Sequence, residues 1–386
     1  MSILKVNKIR HTGSDTDVID IASDGTCSAN LSNRQGRNLV VNGGMQCFQR
    51  GSSFTLSGSD NNEYTVDRFQ HNVTTGASFA STHTISDDHP DGFSKSLLIS
   101  PTATNTPTGG GNAAIRTKLE GQNLQSLAHG TSAAKKITLS FYAKSSSQNN
   151  GHQYSVQLRK FPSSDASSRP TVTRAFTVTT SWQRFSFTII GDTSAVIRND
   201  NLNGMEIVWN LASGPDDILS EYTTWTNDNG FRAVTGQSNF LDNTSNEFYI
   251  TGVQLEVSDH ATDFEHLSFA DELRRCQRYY VQYDSTDAVY SRFGIGISNA
   301  TTQVSVRIEF PVPMRAVPTF SATATLAVST GSAGYTVTSV ALQTSTTTRN
   351  AGQVLASVSS GLTAHKPYYL ESLNNNTSNV KFSAEL

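Results

Sequence analysis

Adjacent acids are the most direct candidates for catalysis in this sequence, because paired carboxylates can act as general acid and base. Asp87 and Asp88 form one pair, and Asp216 and Asp217 form another. Glycoside hydrolysis needs two carboxylates held apart on either side of a scissile bond, which neighbouring acids in a polar loop do not provide. The histidines form no HExxH motif, and no GxSxG motif marks a nucleophile. We therefore expect a protein that is not an enzyme.

Aromatic residues in polar surroundings are stronger candidates for binding, since an aromatic ring can stack on a sugar ring while amide and carboxyl groups match its hydroxyls. Tyr222 and Trp225 lie in the polar loop 220–230, and Tyr368 and Tyr369 follow a Lys-Pro pair near the end of the sequence. These four are the predicted ligand-binding residues, with packing beneath the loop as the alternative for the first two. Trp182 begins a predicted strand and is expected to lie in the core as a structural residue.

Three further polar residues are predicted to be structural. Arg68, beside Asp67, would form a bidentate salt bridge to an acid near a sheet edge and so fix the entering strand. Asn42 precedes two glycines, and this predicts a turn or bulge that redirects the first strand.

The composition excludes several classes of function. Only 16% of the 386 residues are charged and the net charge is −3, with no block of Lys and Arg, so binding to nucleic acid is not expected. No apolar run approaches the length of a membrane span, and the first residues lack the apolar stretch of a secretory signal. The three cysteines form no CxxC pair and have no histidine at ligand spacing, which predicts free thiols without a metal or cofactor. Assembly in a cytoplasm is expected.

The elements that must position these residues are predicted to be strands. Residues 37–266 alternate apolar and polar side chains in several runs separated by turn-forming clusters, a pattern typical of a large jelly-roll-like β-sandwich. Residues 1–36 form short β-like pieces too small to hold a core, so we expect an attachment or oligomerisation arm, with an unstructured leader as the alternative. Apolar residues at helical spacing predict a linker helix within 267–283. Alternation returns in 284–386, which predicts a smaller C-terminal β-sandwich in an all-β protein.

Five segments together resemble the tail-fibre-like virion proteins of tailed bacteriophages, which carry a sandwich similar to carbohydrate-binding modules. They are NLVVNGGMQCFQRGSS at 38–53, TVDRF at 65–69, FYITGVQLEV at 248–257, FEH at 264–266 and CQRYY at 276–280. The resemblance implies that the first strand, at 38–45, lies beside the last, at 248–257. Related modules often bind calcium through an acid in the closing strand. Thr251 and Gly252 stand there instead, so no metal is expected, with loop acids such as Asp192 or Asp259 as the alternative calcium ligands.

The resemblance also implies a function. The chain would be a homotrimeric structural protein of the phage tail, attached to the tail or an adaptor protein through residues 1–36. Its distal β domains would adhere to a host cell-surface glycan without catalysis and without inserting into a membrane. The alternative is a head fibre, a capsid decoration protein or another purely structural virion protein. A free carbohydrate-active enzyme or secreted lectin is disfavoured by the absence of a signal peptide and of a catalytic motif.

Overall fold

The structure, a computed structural model, describes residues 6–10, 12, 17–21, 23, 27–29, 36–162, 169–323, 325–332 and 334–386. Its N-terminal part contains three short strands, β1 (Lys8–Arg10), β2 (Asp17–Ile21) and β3 (Cys27–Ala29), which pair antiparallel in that order. Ile9 on β1 leaves an apolar side chain half exposed. The predicted β-rich arm is therefore built of strands where it is described.

The large domain is a sandwich of two antiparallel sheets. Its strands are β4 (Ser53–Leu56), β5 (Glu63–Tyr64), β6 (Phe69–Val73), β7 (Ser81–Ser86), β8 (Ser96–Pro101), β9 (Asn112–Glu120), β10 (Ile137–Ser145), β11 (Gln153–Lys160), β12 (Pro170–Thr177), β13 (Gln183–Ile189), β14 (Asn203–Ser213), β15 (Ile218–Leu219), β16 (Thr226–Asn227), β17 (Ala233–Val234) and β18 (Phe248–Glu256). Three short 3₁₀ turns occur at Gly121–Leu127, Pro215–Asp217 and Phe240–Asp242.

The two sheets of the large domain differ in the number and order of their strands. The six-stranded sheet runs β13-β10-β18-β8-β7-β4 and the seven-stranded sheet runs β16-β12-β11-β14-β9-β6-β5, while β15 and β17 form a small parallel pair. The jelly-roll-like β-sandwich expected from the alternating runs is thus confirmed. The six-stranded and seven-stranded sheets are named by these counts below.

The core lies between the sheets because each strand turns alternate side chains inward. On β14, Ile207 and Trp209 are fully buried in the core, whereas Glu206 and Asn210 lie on the opposite, outer face of the seven-stranded sheet. From the facing sheet, Phe141 meets Trp209 edge to face, with the ring centroids 5.6 Å apart and the planes at 89°. Sequence alternation predicted five of the strands, β10, β11, β13, β14 and β18, each with one face toward the core.

No strand forms at 38–45, so the prediction of a first strand there is wrong. The prediction that this segment lies beside the last strand of the domain, β18, is right. Residues 38–45 form a series of turns in which Asn42 has a φ of 61°, a left-handed conformation incompatible with a strand. The buried Asn42 side chain donates to the carbonyls of Cys47 and Asp67 at 2.8 and 2.9 Å, so its predicted structural role is supported. This segment still lies along β18, because Val253 donates its amide to the carbonyl of Gly43 at 2.9 Å.

The single α-helix of the described residues, α1 (Phe269–Gln277), is shorter than the predicted 267–283. Ser268 caps its N-terminus by accepting a hydrogen bond from the amide of Asp271 at 3.2 Å. The chain leaves the helix through Arg278, and Tyr280 already belongs to the next strand. Cys276 is the buried residue of the helix.

The C-terminal domain is also β throughout. Its strands are β19 (Tyr280–Asp284), β20 (Arg292–Ala300), β21 (Gln303–Glu309), β22 (Thr319–Ala322), β23 (Leu326–Ser329), β24 (Gly334–Leu342), β25 (Ala351–Val358), β26 (Pro367–Ser372) and β27 (Asn379–Ser383). Six of them close into a barrel, β20-β21-β25-β24-β23-β26, and the other three form the sheet β19-β27-β22. The domain is therefore β, as predicted, but its main unit is a closed barrel with a three-stranded sheet beside it rather than a β-sandwich.

The last residues of the sequence fasten this domain to the sandwich. Arg68 is buried and donates to the carboxylate of Glu385, while its guanidinium lies 3.6 Å from the centroid of the Tyr279 ring. The hydroxyl of Tyr64 donates to the carbonyl oxygen of Leu386 at 2.8 Å. Arg68 is thus structural, as predicted, but it fixes the far end of the chain rather than an entering strand.

Asp67 serves the same junction through a different partner. Its carboxylate accepts from Arg50 at 2.8 Å, and Arg50 reaches Glu385 with its other nitrogen at 2.9 Å. Arg50 also lies over the Tyr280 ring, 3.6 Å from the centroid. The predicted Asp67-Arg68 unit therefore acts as two separate anchors for the C-terminal domain.

Candidate functional site

A row of aromatic side chains runs along the outer face of the six-stranded sheet. Tyr142 on β10 and Tyr249 on β18 point outward because their neighbours Phe141 and Phe248 point into the core. Trp182 precedes β13 and lies half-buried beside Tyr249. We name Trp182, Tyr249 and Tyr142 the aromatic strip.

Trp182 and Tyr249 meet edge to face at one end of the strip. Their ring centroids are 6.2 Å apart and the planes are inclined at 75°. Lys144, directly opposite Tyr249 in the β10–β18 ladder, places its ammonium 4.6 Å from the Tyr249 centroid and 5.7 Å from that of Trp182. The cation over two rings fixes their arrangement before any ligand arrives.

Carboxylates border the same rings. The indole nitrogen of Trp182 donates to Asp88 at 2.9 Å, and Lys144 donates to the second oxygen of that carboxylate. Burial raises the pKa of Asp88, but these hydrogen bonds outweigh it and hold the pKa below its ordinary value. The Tyr249 hydroxyl donates to Glu247 at 3.0 Å, and burial together with this bond raises the pKa of Tyr249. Asp88 is therefore charged, and Tyr249 neutral, at neutral pH.

The other end of the strip continues into a second aromatic group. The Tyr142 ring lies 5.3 Å from that of Phe93, which in turn lies 4.9 Å from Phe264 and 5.2 Å from His266. Gly252, with a φ of 64°, makes room for these rings, since a Cβ there would come within 2.7 Å of Phe93 and 2.8 Å of Tyr142. The closing strand thus carries glycine where it passes beneath the aromatic rings.

This arrangement provides the groups that recognise a saccharide. Aromatic faces pack against the C–H faces of a sugar ring, and the flanking carboxylates accept hydrogen bonds from its hydroxyls. Tyr142 and Tyr249 lie on paired strands and are positioned by the sheet, whereas Trp182, Asp88 and Glu247 lie next to strand ends. Across the described ranges, no group of three or more His, Cys, Asp and Glu side chains is placed to hold a metal ion.

The predicted loop pair Tyr222 and Trp225 makes hydrogen bonds and ring contacts with other parts of the protein. Trp225 donates its indole nitrogen to the carbonyl of Ile190 at 2.8 Å and meets the ring of His129 edge to face. It packs against the sandwich core, as the alternative interpretation held. Tyr222 donates its hydroxyl to Asp228 at 2.9 Å. Ligand binding by these two residues remains a prediction, and their observed partners belong to the protein itself.

The predicted pair Tyr368 and Tyr369 points in opposite directions, as neighbours on a strand must. Tyr368 is 3% exposed and lies in the barrel core, where its hydroxyl accepts from the amide of Thr363 at 2.9 Å. Its assignment to a binding surface is therefore wrong. Tyr369 is half-buried on the outside, with the Arg292 guanidinium 4.0 Å from its ring centroid.

Trp182 is a second residue whose predicted position is wrong. It does not lie in the core, because it immediately precedes β13 on the outer side of the sheet, beside Lys144 and Tyr249. Sequence alternation could have identified the other two members of the strip as outward-facing residues. Tyr249 stands between two core residues, Phe248 and Ile250, and the same holds for Tyr142 between Phe141 and Ala143.

Comparisons with known proteins give only distant likenesses. No protein-family model matches the chain, and no curated protein matches it. In the part of the chain that is described, no helix is both long and apolar enough to cross a membrane.

Solved structures that are similar include a phage protein and sugar-binding proteins. The enzymatically active domain of tailspike protein 4 from bacteriophage CBA120 matches 57% of this chain at 15% identity and a TM-score of 0.31, and the match spans 21% of the tailspike chain. A putative sugar binding protein from Bacteroides thetaiotaomicron matches 57% of this chain and 100% of its own at 10% identity and 0.32. The CBM22-2 xylan-binding domain from Paenibacillus barcinonensis Xyn10C matches 53% and 99% at 13% identity and 0.29. Likeness at this level does not identify what the chain binds.

Proposed function

We propose that this chain is a non-catalytic, tail-fibre-like virion protein that adheres to a host-surface glycan through the aromatic strip. The observation that carries the proposal is the cluster of Trp182, Tyr249, Lys144 and Asp88, in which two rings, a cation and a carboxylate share one outer sheet face. The sequence motifs described above supply the phage assignment. The N-terminal arm attaches the chain to the particle, and three copies associate.

The rigidity of the molecule is consistent with adhesion. Arg68, Arg50 and Glu385 lock the C-terminal domain to the sandwich through buried ion pairs. A rigid particle that displays three copies would gain avidity from several weak sites without any one of them binding tightly. A half-exposed aromatic pair is expected to bind one saccharide weakly, and several copies together would supply the adhesion.

The test uses the full chain on a glycan microarray of bacterial surface saccharides, followed by calorimetry with the saccharides retained. Trp182→Ala and Tyr249→Ala are each expected to weaken binding at least tenfold, because a stacking interaction of about 1.5 kcal/mol or more is lost. Tyr290→Ala is the matched control, since Tyr290 is 54% exposed and lies in the C-terminal domain. If both strip variants bind as tightly as the parent, the strip is not the site.

Two further measurements address the remaining parts of the proposal. Light scattering would give three times the 41.7 kDa chain mass for a trimer. Gold labelling of particles with an antibody against residues 284–386 would mark the tail periphery. Label on the capsid would favour the head-fibre or decoration alternative, and release of reducing ends from a bound polysaccharide would contradict a non-catalytic role.

A further inference from the structure

The outer face of the seven-stranded sheet is polar, yet it is covered by the chain itself. Residues 228–232, named the strap below, cross it. Gln157 of β11 donates to the carbonyl of Gly230 and accepts from the amide of Arg232, both at 3.2 Å. Asn210 of β14 donates to the carbonyl of Arg232 at 3.0 Å. The strap therefore contacts the sheet mainly through backbone groups that any saccharide hydroxyl could replace.

Two arginines beneath the strap share one carboxylate. Arg159 donates to Glu206 at 2.6 Å, and Arg116 approaches the other carboxylate oxygen at 3.4 Å. Arg116 also donates to the side-chain oxygen of Gln70 at 2.7 Å. All four side chains are more than nine-tenths buried, so two cations face a single anion away from bulk water. The cluster carries a local excess of positive charge.

Phe231 of the strap lies on these guanidinium groups instead of in the apolar core. Its ring centroid is 4.3 Å from Cζ of Arg159 and 5.8 Å from Cζ of Arg116, and the side chain is half-buried. The fully buried Nε of Arg159 has no hydrogen-bond partner among the described residues. On the same face, the side-chain oxygens of Asn72 and Asn112 are also buried without a partner. Such groups are costly to bury unless something binds them.

Besides the bonds from Gln157 and Asn210, the strap is held at Asp228, whose amide donates to the carbonyl of Arg169 at 3.2 Å and whose carboxylate accepts from the hydroxyl of Tyr222 at 2.9 Å. Arg232 pairs with Asp228 at 2.6 Å and with Asp217, which lies outside the strap. A Cβ at Gly230 would overlap the Arg232 guanidinium, so a larger residue there would force that side chain to shift. Arg159 adds one bond, to the carbonyl of Asn229 at 2.8 Å. Opening of the strap therefore requires release of the Arg232 and Phe231 side chains and replacement of the bonds that its backbone makes with Gln157, Asn210 and Arg159.

We propose that the strap is a displaceable cover and that the face beneath it binds a carboxylated sugar, such as a uronic acid residue. The sugar carboxylate would take the place of the Phe231 ring and accept two hydrogen bonds from Arg159, one from its unpaired Nε and one from the Nη2 that the strap carbonyl of Asn229 now occupies. Arg116, whose three nitrogens already donate to Gln70, Glu206 and Asn62, would contribute a second positive charge. The sugar hydroxyls would donate to the carboxylate of Glu206 and to the side-chain oxygens of Gln70 and Asn72, which lie on the neighbouring strands. This site is separate from the aromatic strip and does not rest on the proposed adhesion.

The experiment titrates the full chain with sodium D-glucuronate, with D-glucose and sodium acetate as comparison probes, by NMR or calorimetry. Phe231→Ala should lower the Kd for glucuronate at least tenfold. Without the ring, the ligand no longer has to displace it, so a larger fraction of the molecules is competent to bind. Adding Arg159→Gln to this variant should abolish the gain. Trp182→Ala should leave glucuronate binding unchanged, which separates this site from the strip.

Equal tightening for glucose, or no tightening for glucuronate, would overturn the proposal, and acetate binding as tightly as glucuronate would exclude a sugar site. Should Phe231→Ala fail to fold, amide hydrogen exchange on the parent chain decides. Saturating glucuronate is expected to speed exchange in residues 228–232 and leave that of β18 unchanged. Exchange in the strap that is unaffected or slower means that the strap does not open.

Discussion

Arg68 and Glu385 form a buried ion pair between residues 317 positions apart in the sequence. Their side chains are 1% and 8% exposed, and Arg68 adopts a φ of 72°, a conformation rare for a residue with a side chain. Removal of one partner from a buried pair leaves an uncompensated charge. Glu385→Ala is therefore expected to lower the free energy of unfolding by about 3 kcal/mol, as measured by urea denaturation.

The matched control for this variant is Glu309→Ala. Its carboxylate pairs with Arg307 on the surface and is 67% exposed, so a change within about 0.5 kcal/mol is expected. An equal loss in the two variants would mean that burial of the Arg68 pair contributes nothing specific.

The histidine pair inside the sandwich predicts acid sensitivity. His71 and His83 are fully buried, with Nδ1 of the first 3.3 Å from Nε2 of the second. Burial lowers the pKa of His71 to about 4 and lowers that of His83. The unfolded chain takes up protons near pH 6.5, so stability from these groups is present above that pH and is lost as the pH falls toward 4.

For His71 alone the loss should reach about 3 kcal/mol, visible as a falling urea midpoint between pH 6.5 and pH 4. His71→Gln should flatten this pH dependence. His365→Asn, at an exposed turn position with a φ of 62°, should not. A slope that persists in His71→Gln would assign acid sensitivity to other groups.

Gly252 should be required for the aromatic strip. An alanine there meets two rings and also forces a left-handed backbone, so Gly252→Ala is expected to cost about 3 kcal/mol and to weaken glycan binding. Gly92→Ala provides the comparison, since its φ of 87° imposes the same kind of backbone strain while no atom lies within 4 Å of the added Cβ. Comparison of the thermal unfolding of the two variants separates the steric cost at Gly252 from the cost of the left-handed backbone. Equal losses of stability would show that the Phe93 and Tyr142 rings move aside without cost.

The buried thiols should be unreactive in the folded protein. Cys47 and Cys276 are each 1% exposed, and burial and the neighbouring Cys47 raise the pKa of Cys276 well above its ordinary value. Thiolate is the reactive form, so labelling by a thiol reagent should be negligible in buffer and complete in urea. The measurement uses a Cys27→Ser background, and rapid labelling in buffer would show that α1 separates from the sandwich.

The sandwich could be predicted from the sequence because alternation is a local property. Runs such as Ile137–Ser145 show which residues point inward without knowledge of their partners. The prediction of a strand at 38–45 was wrong for a reason that is also local but that the alternation of apolar and polar residues does not show. Asn42 takes a left-handed conformation, which its side-chain bonds to Cys47 and Asp67 stabilise.

The candidate sites could not be predicted in the same way, because they depend on register and on long-range pairing. Trp182 joins the strip only because β13 and β18 both pair with β10, which brings Lys144 opposite Tyr249. Glu385 could not be matched with Arg68 by spacing. Phe231 looks like an ordinary loop residue until Arg159 is found beneath it.

The pairing of β19 with β27 has a mechanical consequence. β19 leaves the sandwich side at Tyr280, and β27 returns toward it and ends in the residues that Arg68 and Arg50 hold. Two paired strands of the C-terminal domain therefore meet the sandwich at the same point, one through Tyr280 and the other through Glu385, where a single linker would suffice for connectivity. Tension between the domains would be shared by both strands and would load their ladder in shear. The paired strands β19 and β27 would also resist twisting more than a single linker would. A torque applied to one domain would therefore turn the other domain as well.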